Sequence, residues 1–254
     1  MNMKWKYLWT ALLVSGLLLA CASEKDVETE AIEEEVMVLE NALTEDEKEA
    51  GWMLLFDGED PFGWRAFNGT DFPEGWTVED GALKALGLGG DIGGDIVFGP
   101  VDFDEFELEF TWKIALGGNS GVFYHVVEGP QYKAPYETGP EYQVIDQLGF
   151  PEKLEDWQSL AADYGMYAPD LEGVVREAGE WNTSKIIYTK NGASYWLNGK
   201  QTVSFVPGSE DWTARRNSGK WDAFPDYAKQ TKGLIALQDH GSEAWFKNIK
   251  IRQL

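Results

Sequence analysis

Cysteine is nearly absent from this chain of 254 residues: Cys21 is the only one, so no disulfide forms within one molecule and a folded domain must be held by its core. About two hundred residues suffice for that, since a domain of this size buries roughly 70% of its unfolded surface. Positive charge is scarce as well, with 21 Lys and Arg against 44 Asp and Glu and a net charge of −23. That deficit excludes nucleic acid as a partner, because phosphate binding needs a basic footprint. Long apolar runs are missing too. The most apolar stretch, from Tyr7 to Leu19, falls short of the roughly 20 residues that span a bilayer. Histidine occurs twice, as His125 and His240.

What remains is rich in aromatics and glycine, with 12 Trp, 10 Tyr, 13 Phe and 28 Gly. That composition fits an all-β domain with aromatic platforms. Lys4 and Lys6, the apolar stretch and Leu18-Leu19-Ala20-Cys21 read as a bacterial lipoprotein signal peptide over residues 1–21, with the lipid attached at Cys21. The mature chain then carries 19 basic and 44 acidic residues, a charge of −25. Residues 22–42 read as an acidic tether. From Ser23 to Ala50 there are twelve acidic residues, two lysines and no aromatic, too little apolar surface for a core. Thr44-Glu-Asp-Glu47 is a capping box that predicts a short helix to Ala50. The expected location is the bacterial cell envelope, lipid-anchored, facing the periplasm or the outer surface.

Residues 43–254 form the predicted domain. Short apolar or alternating runs broken by Gly, Pro, Asn and Asp predict strands near 52–56, 75–79, 82–86, 93–98, 106–115, 120–127, 141–146, 184–190, 193–197, 201–206, 233–237 and 244–252. So many short strands indicate a sandwich or jelly roll. Phe106, Leu108, Phe110 and Trp112 share one parity while Glu107, Glu109, Thr111 and Lys113 share the other, the period-two mark of a half-buried strand. Asn198-Gly199 marks a tight hairpin. Residues 152–170 and 207–232 lack periodicity and read as loops or short helices covering the sheet.

Three strings place polar groups inside strand-like runs: Gly118-Asn-Ser-Gly-Val-Phe-Tyr-His125, Gly139-Pro-Glu-Tyr-Gln-Val-Ile-Asp146 and Leu237-Gln-Asp-His-Gly241. Alternation sends Glu141, Gln143 and Ile145 to one face and Tyr142, Val144 and Asp146 to the other. One face thus receives a carboxylate beside an amide, a sugar-binding pattern. Glu141 in a strand interior is costly unless used. Asp146 serves either a strand end or a site, Asn119 either shapes a turn or contacts sugar, and His240 beside Asp239 is either a turn or an acid–base group. Glu141 and Asp146 are five apart and face opposite sides in a regular strand, which disfavours a conventional two-carboxylate glycosidase. Trp64, Trp76, Trp112, Trp181, Trp196 and Trp245 read as core. Trp157, Trp212 and Trp221, in the irregular segments, are the candidates for stacking on a sugar.

The chain resembles the 3-keto-disaccharide hydrolase family of bacterial secreted proteins. The likeness runs from about Leu43 to Leu254, through Leu54-Leu-Phe-Asp-Gly58, Gly63-Trp64, Trp76 with Asp80-Gly81 and Gly90-Asp-Ile-Gly-Gly94. It continues through the three strings above, Glu180-Trp-Asn182, Trp196-Leu-Asn-Gly199 and Phe246-Lys-Asn-Ile249. It implies a concanavalin A-like jelly roll of two antiparallel sheets, and cleavage of glycosides or oligosaccharides already oxidised at C3 by a separate sugar 3-oxidoreductase. Two departures stand out: His125 follows Phe123-Tyr124 where many members carry Arg, and Pro151 to Asp163 lacks a His-rich loop.

A C3 ketone acidifies the C2 hydrogen, so proton removal, loss of the C1 substituent and addition of water give hydrolysis. That route needs a base tuned toward neutrality and donors aimed at the enolate oxygen. Glu141, His125 and His240 are the acid–base candidates. Asn119, Gln143 and Arg65 are the candidate donors, with a divalent metal ion as an alternative stabiliser. Tyr124, Asp146, Asp239 and Trp157 complete the expected sugar contacts. A carbohydrate-binding protein without activity is the rival reading, since jelly rolls host both.

Overall fold

Glu107, Glu109, Thr111 and Lys113 turn outward from β6 (Phe106–Ile114) while Phe106, Leu108, Phe110 and Trp112 are buried, so the strand divides core from solvent as its alternation requires. The structure is a computed structural model and describes residues 40–89 and 94–254. The signal peptide, Cys21, most of the acidic tether and Gly90–Gly93 lie outside the described residues.

A short helix α1 (Glu45–Glu49) opens the described chain, closed by the Thr44/Glu47 capping box. Strands follow as β1 (Met53–Leu54), β2 (Trp64–Ala66), β3 (Trp76–Glu79), β4 (Ala82–Leu86), β5 (Ile96–Phe103), β6, β7 (Asn119–Val126) and β8 (Glu141–Ile145). Then come β9 (Asn182–Thr189), β10 (Gly192–Leu197), β11 (Lys200–Phe205), helix α2 (Glu210–Arg216), β12 (Gly233–Leu237) and β13 (Glu243–Gln253). One sheet runs β11-β10-β9-β6-β13-β4-β3 with β1 also on β13, and the other runs β2-β5-β12-β7-β8. Every strand pairing is antiparallel, giving the two-sheet jelly-roll sandwich read from the sequence.

The main core lies between the sheets. Phe106, Leu108, Phe110 and Trp112 of β6 meet Val122 and Tyr124 of β7, Tyr142 and Val144 of β8 and Ile235 and Leu237 of β12. Asn198 and Gly199 take positive φ of 48° and 86° at the β10–β11 hairpin, as a primed turn demands. Only β2 had no counterpart among the predicted strands; three residues after Gly63 are too few to show alternation. Asn248 interrupts β13 with φ of 51° at a slip in its pairing with β6. Asn41 closes that slip, its N–H donating to Asn248 Oδ1 at 2.6 Å while Asn248 N–H donates to Asn41 Oδ1 at 2.8 Å.

Three of the tryptophans read as core sit elsewhere. Trp64, Trp76 and Trp112 are buried, but Trp181, Trp196 and Trp245 are only half-buried, and Trp181 and Trp245 pack with Lys113, a residue on the outward parity of β6. Trp221, read as a sugar platform, is fully buried and stacked on Tyr227 with centroids 3.5 Å apart.

Candidate active site

The outer face of the five-stranded sheet is built from the alternate residues of its strands. Val97, Phe123, Val126, Leu234 and Ala236 form an apolar cluster there, separate from the main core, with Phe67 and Tyr136 against it. The same parity places Asn119 and Gly121 on that face of β7, and Glu141 and Gln143 on that face of β8. Phe123 pairs with Glu141 and Gly121 with Gln143. On the other side of β7, Gln238, just past β12, donates its backbone N–H to Gly121 O at 3.0 Å. Asp95 precedes Ile96, which pairs with Leu237. The face is apolar toward one end and polar toward the other, which suits a sugar ring with its own apolar and hydroxyl-bearing surfaces.

Gly121 makes room for the carboxylate. A Cβ at that position would lie 2.4 Å from Glu141 Oε1, so the side chain of Glu141 folds diagonally across the glycine. Glu141 is 4% exposed, and among the described residues nothing donates a hydrogen bond to its carboxylate. Burial raises its pKa from 4.5 to about 8; the charge of Lys220 opposes the rise and that of Asp95 adds to it. Asp95 is raised to about 7, mainly by burial, with the backbone N–H of Asp239 opposing and the Asp239 charge adding. Asp95 Oδ1 accepts from Asp239 N at 3.0 Å.

Around this carboxylate stand three amides whose oxygens are buried without a partner: Asn119 Oδ1, Gln143 Oε1 and Gln238 Oε1. Native structures leave few such groups, and a cluster of them on one face marks a ligand's place. Gln143 is oriented by its Nε2, which donates to Gln158 O at 3.2 Å. Tyr164 donates its N–H to Glu141 O at 3.1 Å, and its ring lies edge-on to Trp157 at 5.3 Å. Trp157 is 39% exposed and stands at the rim of this face.

Of the other sequence candidates, His240 stays near the site and the rest are engaged elsewhere. His125 adopts φ of 54° at a bulge where Tyr124 and His125 together oppose Ile235. That left-handed residue turns the imidazole away from the outer face and into the core, against Phe106, Tyr124 and Tyr188. Its Nε2 donates to Asp104 O at 2.8 Å, and burial lowers its pKa to about 4. Tyr124, of opposite parity to Phe123, is buried between the sheets with its hydroxyl 2.9 Å from that of Tyr195. Asp146 binds a turn: Oδ2 accepts from Gly117 N at 2.8 Å, and Oδ1 accepts from Leu148 N and Gly149 N at 3.2 and 2.9 Å. Asp239 also holds backbone, accepting from Gly89 N at 3.1 Å and Gly241 N at 2.9 Å. His240 is exposed two residues beyond Gln238. Arg65 lies on β2, the edge opposite β8, about 19 Å away across four strand spacings, and is engaged by Glu128 at 2.6 and 2.5 Å. Among the described residues no group of three or more His, Cys, Asp or Glu is arranged to hold a metal ion.

Asp95, Gln238 and Lys220 are not evident as site residues from the sequence. Parity offered a route to Gln238, because in Leu237-Gln-Asp the residue beside a core leucine must face outward. Lys220 sits in the segment without periodicity and carried no signal.

Relatives share this architecture. A curated 3-keto-disaccharide hydrolase from Bacteroides thetaiotaomicron is 30% identical over 95% of this chain and 96% of its own. A crystal structure from Parabacteroides distasonis, provisionally named a glycosyl hydrolase, matches with a TM-score of 0.79 and 48% identity over 85% of this chain and all of that one. A second so named from the same organism matches at a TM-score of 0.60 and 25% identity, over 80% of this chain and 99% of that one. The family described as the 3-keto-alpha-glucoside-1,2-lyase-like domain matches residues 51–252, and this chain belongs to it.

Proposed function

We propose that this protein hydrolyses 3-keto-glycosides, with Glu141 as the base that removes the C2 proton. The observation that carries the reading is the Glu141 carboxylate, raised toward neutrality by burial and by the charge of Asp95, on a face where three amides lack partners. A base with a pKa near 8 is well matched to a carbon acid beside a ketone at neutral to mildly alkaline pH. The C2–H electrons form the enolate, the enolate expels the C1 oxygen, and water adds to C1 of the enone, so that one glycoside and one water give the free 3-keto sugar and an alcohol. Asn119, Gln143 and Gln238 bind the ring hydroxyls, Trp157 stacks at the rim, and His240 protonates the leaving oxygen. The names of the relatives support the substrate class, and "1,2-lyase" names an elimination across the same two carbons. A separate oxidoreductase must supply the ketone, since nothing in hydrolysis oxidises C3. Lipidation of Cys21 tethers the domain to the cell envelope; loss of lipid labelling in Cys21→Ser tests that step.

The test of activity is a 3-keto-glucoside offered beside its unoxidised parent, with Glu141→Gln and His240→Ala in parallel. Turnover of the oxidised sugar alone, with C2 deuterium exchange that Glu141→Gln abolishes, is the expected result. Turnover of the parent would make this a conventional glycosidase. Tight binding with no turnover of either sugar would make it a carbohydrate-binding protein.

A further inference from the structure

The segment from Pro207 to Lys232 delivers one cation to the polar face. Lys220 lies on a 3-10 turn, Gly219–Ala223, anchored by the fully buried Trp221. Lys220 is exposed as a residue, and its ammonium lies 4.3 Å from the ring centroid of Tyr164, 4.7 Å from Trp221 and 5.0 Å from Tyr136. Three aromatic faces attract a cation and fix its position. Two of them border the site: Tyr164 hydrogen-bonds the backbone of Glu141, and Tyr136 packs on the apolar cluster beside it.

Lys220 and Glu141 feel each other's charge: the carboxylate holds the ammonium up while burial, the larger effect, brings it down. Yet no ion pair closes between them among the described residues. Elsewhere in this molecule Lys84, Lys185 and Lys250 close directly onto carboxylates. The rings hold the ammonium at a fixed place beside Tyr164, whose N–H binds Glu141 O, so the cation stands near the base without closing on it.

An elimination beside a ketone needs this arrangement. As the base takes the C2 proton, the C2–H pair becomes the C2=C3 bond and the carbonyl π pair moves onto the C3 oxygen. The new negative charge appears one carbon from the base, and it needs a fixed positive charge there. We propose that Lys220 is a catalytic residue whose ammonium receives the C3 oxygen and stabilises the enolate, an inference that rests on the 3-keto-glycoside reading above. When the oxygen pair re-forms C3=O, the C2=C3 pair becomes C1=C2, the C1–O pair leaves on the departing oxygen, and the ammonium is left unchanged. Lys220 therefore needs no cofactor and forms no bond.

The experiment uses the full chain in detergent, with wild type, Lys220→Met and Lys220→Arg on a 3-keto-glucoside. Lys220→Met is expected to lower kcat and C2 deuterium exchange together by ~10²–10³-fold, with KM within about threefold and the melting temperature nearly unchanged. Lys220→Arg recovers part of the rate because the charge remains. The pH–rate limb assigned to Glu141 moves to higher pH in Lys220→Met, since the cation that opposes its rise is gone. That shift reports only the charge of Lys220 near Glu141, whereas the loss of kcat and exchange above the limb reports its role at the C3 oxygen. If wild type exchanges and turns over the keto sugar while Lys220→Met does so within about threefold, the role of Lys220 falls and the hydrolase reading stands. If wild type neither exchanges nor turns over the keto sugar, both fall. Borohydride trapping of the sugar on Lys220 would replace charge stabilisation with an imine and overturn the proposal.

Discussion

The two sheets use carboxylates in opposite ways on their outer faces. On the eight-stranded sheet Glu107 meets Lys185 at 2.8 Å and Arg252 at 2.6 Å, Glu109 meets Lys185 and Lys250, and Lys84 bridges Glu79 and Glu243. Burial would raise Glu107, but Lys185 and Arg252 together hold it below its ordinary range. On the five-stranded sheet Glu128 is paired with Arg65 at the β2 edge, but at the other end Glu141 and Asp95 stand without a contacting cation, and burial drives both upward. The same residue type is thus stabilised on one face and left in a costly state on the other. A fold tolerates the second arrangement only where something else uses it, and the difference between the faces locates the site more sharply than any motif.

The strongest test of that contrast is Glu141→Gln. It is expected to lower kcat on a 3-keto-glucoside by ~10³-fold, while the fold survives. Stability should move the other way as pH rises. The folded protein holds the Glu141 proton more tightly than the unfolded chain does, so this group costs nothing below its ordinary value of 4.5. The cost grows as pH climbs toward about 8 and is constant above it. Melting temperatures of wild type and Glu141→Gln should coincide near pH 4 and separate by pH 9, with the variant higher. A variant that melts lower at pH 9 would show that the carboxylate is paired after all.

Glu107→Gln probes the opposite face. It leaves Lys185 and Arg252, each about a third exposed, facing a neutral amide. Water screens them at that exposure, so the loss is ~1–2 kcal/mol in urea unfolding, with kcat unchanged. An activity change as large as that of Glu141→Gln would erase the distinction between the faces.

How much of this was legible in the sequence depends on the physics each residue obeys. Alternation along β6, β7 and β8 gave the strands, and placed Glu141 beside Gln143, because a strand's period is local and rigid. The same alternation does not survive a bulge: His125 would share the face of Phe123, but its left-handed backbone sends it to the core. Asp146 and Asp239 looked like site residues because carboxylates at strand ends look alike whether they bind sugar or backbone N–H groups; only the positions of Gly117, Gly149, Gly89 and Gly241 decide. Lys220 arrives through a segment with no period at all, and its distance from Glu141 in sequence concealed their proximity in the fold.

His125 itself supplies a smaller test. Its pKa of about 4 means that the folded state keeps the ring neutral, so its contribution to stability is full above pH 6.5 and is lost as pH falls toward about 4. His125→Asn, a residue that tolerates the left-handed backbone, should flatten that acid-side loss in melting curves and leave the pH–rate limb of Glu141 in place. A large fall in kcat with an unchanged melting temperature would return His125 to the site.

The smallest effect is expected at Lys113, the mirror image of Lys220. Both are lysines held over aromatic rings, Lys113 between Trp181 at 4.9 Å and Trp245 at 4.4 Å. On the outer face of the eight-stranded sheet, however, the rings are half-exposed and no raised carboxylate lies opposite; the carboxylate its charge touches, Glu79, is lowered mainly by Trp245 and Lys84. Lys113→Met keeps most of the apolar stem and removes only the charge. It should cost ~0.5–1 kcal/mol of stability and leave kcat and its pH dependence untouched. Set beside Lys220→Met, the pair separates what an aromatic cage does for a lysine from what it does for a reaction: equal kinetic losses in both would mean that the cage acts through the fold, whereas a loss at Lys220 alone would tie the chemistry to the carboxylate it faces.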